Sequence, residues 1–258
     1  MFNINKSILF QLSIYTSFLI GVLSALPSNE IKLEKRTPGM MPNFLGIEGG
    51  NGVGGEKRGS AGHGESCKKY KIISARGTGE SQGGGYLGYS GTISGILKAV
   101  PNGGNYEVKY PATADYLDGP IQGSNDALKY ILEQKKLCPK QVYVLIGYSE
   151  GAMVMTQLAN KPNFPGSSIV AIAFYGNPYF KGGAPQNACS AKTGSGVASA
   201  TGISLPSKFS KITFDCCQIG DMICQTSGTI VAHLTYTASE SEKSAVKFVV
   251  GKLQSLPR

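Results

Sequence analysis

The chain has 258 residues and a formal net charge of +9, but its lysines and arginines are scattered and accompany no nucleic-acid motif. A solvated basic surface is the plain reading, with adhesion to acidic wall polysaccharides as the pointed alternative. With only two histidines and no paired CxxC, the composition argues against a zinc site.

In chain order, Lys6, an apolar stretch from Ile8 to Leu23 and small residues ending at Ala25 have the layout of a secretory signal peptide, residues 1–25. Nothing later is long and apolar enough to span a bilayer, so no stable membrane insertion is expected. Residues 26–58 are rich in glycine and proline, lack periodicity and carry the pairs Lys35-Arg36 and Lys57-Arg58. They read as a pro-segment or a flexible arm, leaving residues 59–258 as one domain with a sizeable core. Tyr70 to Ala75, Tyr106 to Tyr110, Val142 to Ile146, Ile169 to Tyr175 and Lys211 to Phe214 read as strands. Ser90 to Ala99, Ile121 to Lys136, Ala152 to Asn160 and Ser241 to Leu253 read as helices. This alternation implies right-handed βαβ units: an α/β fold, a three-layer α/β/α sandwich around a mostly parallel five-stranded sheet. Gly83-Gly84-Gly85 has no GxGxxG continuation and is not read as a nucleotide site.

One motif stands out within that pattern. Gly147-Tyr148-Ser149-Glu150-Gly151 lies between an apolar strand and a helix. A serine at such a sharp turn has its hydroxyl exposed above the sheet, and the glycines allow the close strand–helix contact. A serine nucleophile needs a base held by an acid. His63 lies in a glycine-rich arm, which leaves His233 as the base. The aspartates between Ser149 and His233 are Asp215 and Asp221. Asp221 is the better acid, because it is bracketed by Cys217 and Cys224, where a disulfide would hold it rigidly; Asp215 ends a strand and is expected to cap or bond locally. The order Ser149, Asp221, His233 is that of α/β hydrolases.

With these residues in view, the chain resembles the cutinases and the related acetylxylan esterases from Cys67 to Leu253. Four pieces carry the resemblance: Ala75-Arg76-Gly77-Thr78-Gly79-Glu80, the Gly147 to Gly151 elbow, the loop from Cys217 to Cys224, and His233-Leu234-Thr235-Tyr236. It implies a lidless α/β hydrolase in which Thr78, by its backbone N–H and hydroxyl, and the backbone N–H of Glu150 form an oxyanion hole. It also implies the pairs Cys67–Cys138 and Cys217–Cys224, which leaves Cys189 with Cys216. The family usually carries glutamine after the serine. A carboxylate at position 150 would be unfavourable there unless it points away or is paired.

The expected activity is therefore that of a secreted, extracellular serine esterase, monomeric and needing no cofactor or metal. Its substrate would be a polymeric or lipid-like ester of the cutin type. Candidate walls of an open site are Tyr86, Leu87 and Tyr89 on one side and Ile230 and Val231 on the other. Ile230-Val231 resembles the cutinase side of the family, whereas Gly176-Asn177-Pro178 resembles the acetylxylan-type members. The competing readings are an acetylxylan esterase, and a weakly active or non-catalytic binding protein in which Glu150 reflects relaxed catalytic demand.

Overall fold

The computed structural model describes residues 67–83 and 88–257. The expected signal and pro-segments, His63, and the wall residues Tyr86 and Leu87 all lie outside the described residues.

Five strands run in chain order: β1 (Tyr70–Ala75), β2 (Gly103–Glu107), β3 (Val142–Tyr148), β4 (Ile169–Tyr175) and β5 (Thr213–Cys216). They form one sheet in the order β2-β1-β3-β4-β5, and every pairing is parallel. Helices α1 (Ser90–Ala99) and α2 (Gly119–Leu137) follow β1 and β2, α3 (Glu150–Ala159) follows β3, and α4 (Met222–Gln225), α5 (Ile230–His233) and α6 (Glu240–Gln254) follow β5.

Helices on both faces explain why the central strands are apolar runs rather than alternating ones. Ile73, Leu145 and Phe174 point into one core with Ala127 and Ile131 of α2 and Val154, Met155 and Leu158 of α3. Their neighbours Ile72, Val144, Ile146 and Ala173 point the opposite way, against Ile96 of α1 and Ala245, Val249 and Leu253 of α6. Glu242 ties α1 to α6: one carboxylate oxygen accepts from Thr92 N at 2.9 Å and the other from Ala238 N at 2.7 Å.

Three strands differ in their bounds from the sequence reading: β3 runs on past Ile146 to Tyr148, and β2 and β5 are displaced. β2 begins at Gly103, because its only neighbour is β1 and the register sets Tyr70 opposite Gly103. Any Cβ at residue 103 would lie 2.1 Å from Tyr70 Cζ. Val108 and Tyr110 are buried but fall past the end of this edge strand. β5 begins two residues late because Ser207–Ile212 winds into a 3₁₀ helix, closed by a Thr213 Oγ1 hydrogen bond to Phe209 O at 2.8 Å. Asp215 is consequently inside the strand rather than at its end.

Disulfides join Cys67 to Cys138, Cys189 to Cys216 and Cys217 to Cys224. Among the described residues, no helix is long and apolar enough to cross a membrane.

Candidate active site

β3 runs to Tyr148 and α3 begins at Glu150, so the whole change of direction falls on Ser149. Its φ of 53° and ψ of −120° are an unfavourable combination for any residue with a Cβ. Such strain persists only where surrounding contacts over-determine it, and it concentrates at functional sites. Here Ser149 N donates to Tyr175 O and Ser149 O accepts from Ala152 N, each at 2.9 Å. A Cβ on Gly151 would stand 1.9 Å from Ala75 O, and one on Gly147 would stand 2.5 Å from Gly151 O. Both flanking glycines are thus required by close backbone approach.

Asp221 caps α4, its Oδ1 accepting from Ile223 N at 2.8 Å, within the loop closed by Cys217–Cys224. His233 ends α5, which is capped by Thr229. These two short elements bring His233 Nδ1 to 3.0 and 2.9 Å from the two Asp221 oxygens. Tyr236 adds a hydroxyl hydrogen bond to Asp221 Oδ2 at 2.6 Å. Both Asp221 and His233 are buried. Burial alone would raise the Asp221 pKa. The His233 hydrogen bond and charge, together with donation from Tyr236 and Ile223 N, outweigh it and hold the carboxyl below its usual range. An ionised carboxylate facing Nδ1 keeps the proton there and leaves Nε2 as the basic nitrogen. His233 Nε2 is buried and has no hydrogen-bond partner among the described residues.

The serine elbow and this pair share one place. Tyr148, next to Ser149, stacks on the His233 ring with centroids 5.0 Å apart and donates its hydroxyl to His233 O at 3.0 Å. On the other flank, Tyr175 O receives Ser149 N, and the following Gly176, at φ 56°, packs so tightly that a Cβ would lie 2.4 Å from His233 Cε1. Asp215 is fully enclosed elsewhere: its Oδ2 accepts from Asn177 Nδ2 at 3.1 Å. Burial pushes its carboxyl up to about 7, against the opposing Asn177 hydrogen bond.

Thr78 follows β1 in a turn built around Glu80, whose Oε2 accepts from Gly77 N at 2.7 Å, while Gly79 N donates to Ala112 O at 2.8 Å. Thr78 Oγ1 donates to Glu150 Oε2 at 2.7 Å. Glu150 is completely buried, and its Oε1 has no hydrogen-bond partner among the described residues. Burial raises its carboxyl to about 7, opposed by the Thr78 hydrogen bond and the Arg76 charge and reinforced by Asp115. Tyr116 also makes a side-chain hydrogen bond with Thr78. The backbone N–H of Glu150 belongs to the first turn of α3, where amides have no intrahelical acceptor.

The cutinase family model matches residues 66–253. The chain belongs to the cutinase family. Its curated relatives include a carboxylesterase of Mycobacterium tuberculosis, Culp1, 30% identical over 203 residues that cover 76% of this chain and 86% of the relative. Among solved structures, a cutinase-like protein from Cryptococcus sp. is 28% identical with a TM-score of 0.66, covering 73% of this chain and 97% of that one. An acetylxylan esterase is 25% identical with a TM-score of 0.63, covering 73% of this chain and all 100% of that one. This cutinase-family chain is a carboxylic ester hydrolase with the family's α/β hydrolase fold.

The rim of this cutinase-family site departs from the expected walls. Tyr89 is only 2% exposed and packs into the core beside α1. An aromatic residue just outside a helix satisfies a core position as readily as a surface one, and here the core takes it. Val231 is 64% exposed and Ile230 half-buried, beside His233. Sequence reasoning did not single out Leu117, 82% exposed, and Ile121, 45% exposed, which are near neighbours in sequence of Tyr116 and of Gly119, the latter packed against Glu150. It also missed the supporting roles of Tyr116, Tyr148 and Tyr236. The last two were inside recognised motifs, and a hydroxyl-bearing aromatic next to a serine or a histidine was the available signal. Among the described residues, no group of three or more His, Cys, Asp or Glu is placed to hold a metal ion.

Proposed function

We propose that this chain is a secreted serine esterase in which Ser149 is the nucleophile, His233 the general base and Asp221 the residue that orients and charges-balances the imidazole. The observation that carries the reading is the strained Ser149, set between Tyr148 and the Tyr175-Gly176 turn, with Tyr148 and Gly176 packing on a buried His233 whose Nε2 has no hydrogen-bond partner among the described residues. Ser149 Oγ adds to the ester carbonyl carbon while its proton passes to His233 Nε2. The carbonyl oxygen becomes an oxyanion held by the N–H groups of Thr78 and Glu150, with the Thr78 hydroxyl joining them when its hydrogen is not given to Glu150. Collapse breaks the bond to the alcohol oxygen, which takes the proton from Nε2 and leaves. Water, deprotonated in turn by Nε2, then cleaves the acyl-serine and regenerates Ser149.

The substrate reading is a lipid-like or polymeric ester of the cutin type. Exposed apolar residues close in sequence to site residues, Leu117 and Ile121 beside Tyr116 and Gly119 and Val231 and Leu234 beside His233, favour an acyl chain or an ester-rich surface over a small polar ester. The likeness to a solved acetylxylan esterase supports acetylated xylan as the second reading. Three disulfides suit an oxidising compartment, and a signal peptide at residues 1–25 and a pro-segment at 26–58 would leave a monomeric domain from residue 59.

The test pairs labelling with a substrate panel. An organophosphonate ester probe should label the secreted protein at one site, and Ser149→Ala should abolish both labelling and turnover. Stoichiometric labelling of that variant at another residue would reject the assignment. Long-chain p-nitrophenyl esters should be hydrolysed faster than acetylated xylan. The reverse ranking would select the second reading.

A further inference from the structure

We propose that Glu150 decides which way the Thr78 hydroxyl donates, and through it whether that hydroxyl serves the oxyanion; this rests on the roles of Ser149 and Thr78 proposed above. Thr78 Oγ1 has a single hydrogen and two lone pairs. It stands 2.7 Å from Glu150 Oε2 and also hydrogen-bonds Tyr116. A carboxylate accepts only, so an ionised Glu150 must receive the Thr78 hydrogen. Thr78 Oγ1 then has only lone pairs left to turn toward the reacting oxygen, where they repel the developing charge.

A neutral Glu150 reverses this. Its proton finds no acceptor at Oε1, which is buried with no hydrogen-bond partner among the described residues, but finds Thr78 Oγ1 at hydrogen-bonding distance from Oε2. Thr78 then accepts from Glu150, and its own hydrogen is released for the oxyanion. The surroundings keep the two forms close in free energy. Glu150 is walled in, with Oε1 only 2.6 Å from where a Cβ on Gly119 would stand, so water does not solvate the charge there. The charged and titratable groups around it are Arg76 at the end of β1, Tyr110 beyond β2, and Asp115 and Tyr116 ahead of α2. Arg76 favours the carboxylate and Asp115 the acid, and with burial the largest influence the carboxyl titrates at about 7. The enzyme would therefore be a hydrolase with a donor switched off as pH rises through neutrality, unlike one with glutamine at this position, whose amide donates to Thr78 at every pH.

The experiment is a set of kcat/KM profiles between about pH 5.5 and about pH 8.5 for wild type, Glu150→Gln, Thr78→Val and the double variant, on one p-nitrophenyl ester. Taking the ratio of Glu150→Gln to wild type cancels every pH effect common to both. That ratio should climb by about tenfold across the range, the effect of losing one oxyanion donor tempered by the two backbone donors that stay. In the Thr78→Val background the same ratio should be flat. A flat ratio with Thr78 present overturns the proposal. An equal climb without the Thr78 hydroxyl also overturns it, because the carboxylate would then act by its field alone. If Glu150→Gln does not fold, wild type against Thr78→Val suffices: the alkaline loss should belong to wild type only, and its presence in both refutes the switch. Phosphonate labelling at Ser149 in the same preparations reports separately on the underlying assignment, whose failure would be seen as absent labelling rather than as a changed profile.

Discussion

Tyr148 holds His233 twice, by a ring stack at 5.0 Å between centroids and by a hydroxyl hydrogen bond to His233 O at 3.0 Å. Because Tyr148 is bonded in sequence to Ser149, one side chain couples the elbow to the imidazole. Tyr148→Phe keeps the stack and removes only the hydrogen bond. The expected cost is about 1 kcal/mol of stability and a several-fold fall in kcat with KM little changed. Thermal unfolding and steady-state kinetics on one preparation check this. A change in KM alone would place Tyr148 in substrate binding instead.

Gly176 tests how tightly the imidazole is seated. Its φ of 56° strains any other residue, and a Cβ would meet His233 Cε1 at 2.4 Å, His233 Nδ1 at 2.6 Å and Asp221 Oδ2 at 3.0 Å. Gly176→Ala should displace the Asp221–His233 pair and lower kcat by on the order of a hundredfold. Its stability loss should be about 1–3 kcal/mol, the usual cost of a strained backbone position. Unchanged turnover would show that the pair relaxes freely.

The disulfides should separate stability from activity. Cys67–Cys138 closes a span of 71 residues and Cys217–Cys224 a span of 7. Loop-closure entropy then assigns about 4 kcal/mol to the first and about 2 kcal/mol to the second. Cys217 and Cys224, however, bracket the loop that presents Asp221. Replacing both cysteines of the long span by serine should lower the denaturation midpoint more, whereas replacing both of the short span should lower kcat more. Chemical denaturation and kinetics of the two double variants decide it.

Asp215 makes the fold sensitive to alkali rather than acid. Its folded pKa, raised from 3.8 to about 7 by burial, means that the folded state binds the proton more tightly than the unfolded state. The associated stability is fully present below about pH 4 and is lost as pH rises through about 7, a change on the order of a few kcal/mol. Glu150 contributes with the same sign through the same upper limit, from 4.5 to about 7. Asp221 has the opposite sign: its folded pKa is depressed, so its contribution is present at neutral pH and lost on acidification. Asp215→Asn should therefore flatten the decline in melting temperature between about pH 5 and about pH 8. An unchanged slope would mean that Asp215 stays ionised in the folded protein.

Much of this was legible in consecutive residues. The apolar runs of β1, β3 and β4 are buried on both faces, so hydrophobicity alone outlines them, and the start and end of β1 and β4 coincide with the sequence reading. The elbow too is local: strand, glycine, serine, glycine and helix succeed one another because the strain and the close approach fall within five residues. β5 differs because the residues just before Thr213 wind into a 3₁₀ turn instead of extending, and β2 differs because its start is set by a partner far along the chain, Tyr70 covering Gly103. The same reason hid the surroundings of Glu150. Position 150 shows a glutamate where its family usually has glutamine, but a side chain's charge state depends on what encloses it. Thr78 from beyond β1, Tyr116 and Gly119 from around the start of α2, and Arg76 beneath them meet only in the tertiary structure. Covalent order specified which groups the site contains, while desolvation and hydrogen bonding across distant segments decided which of them carry charge.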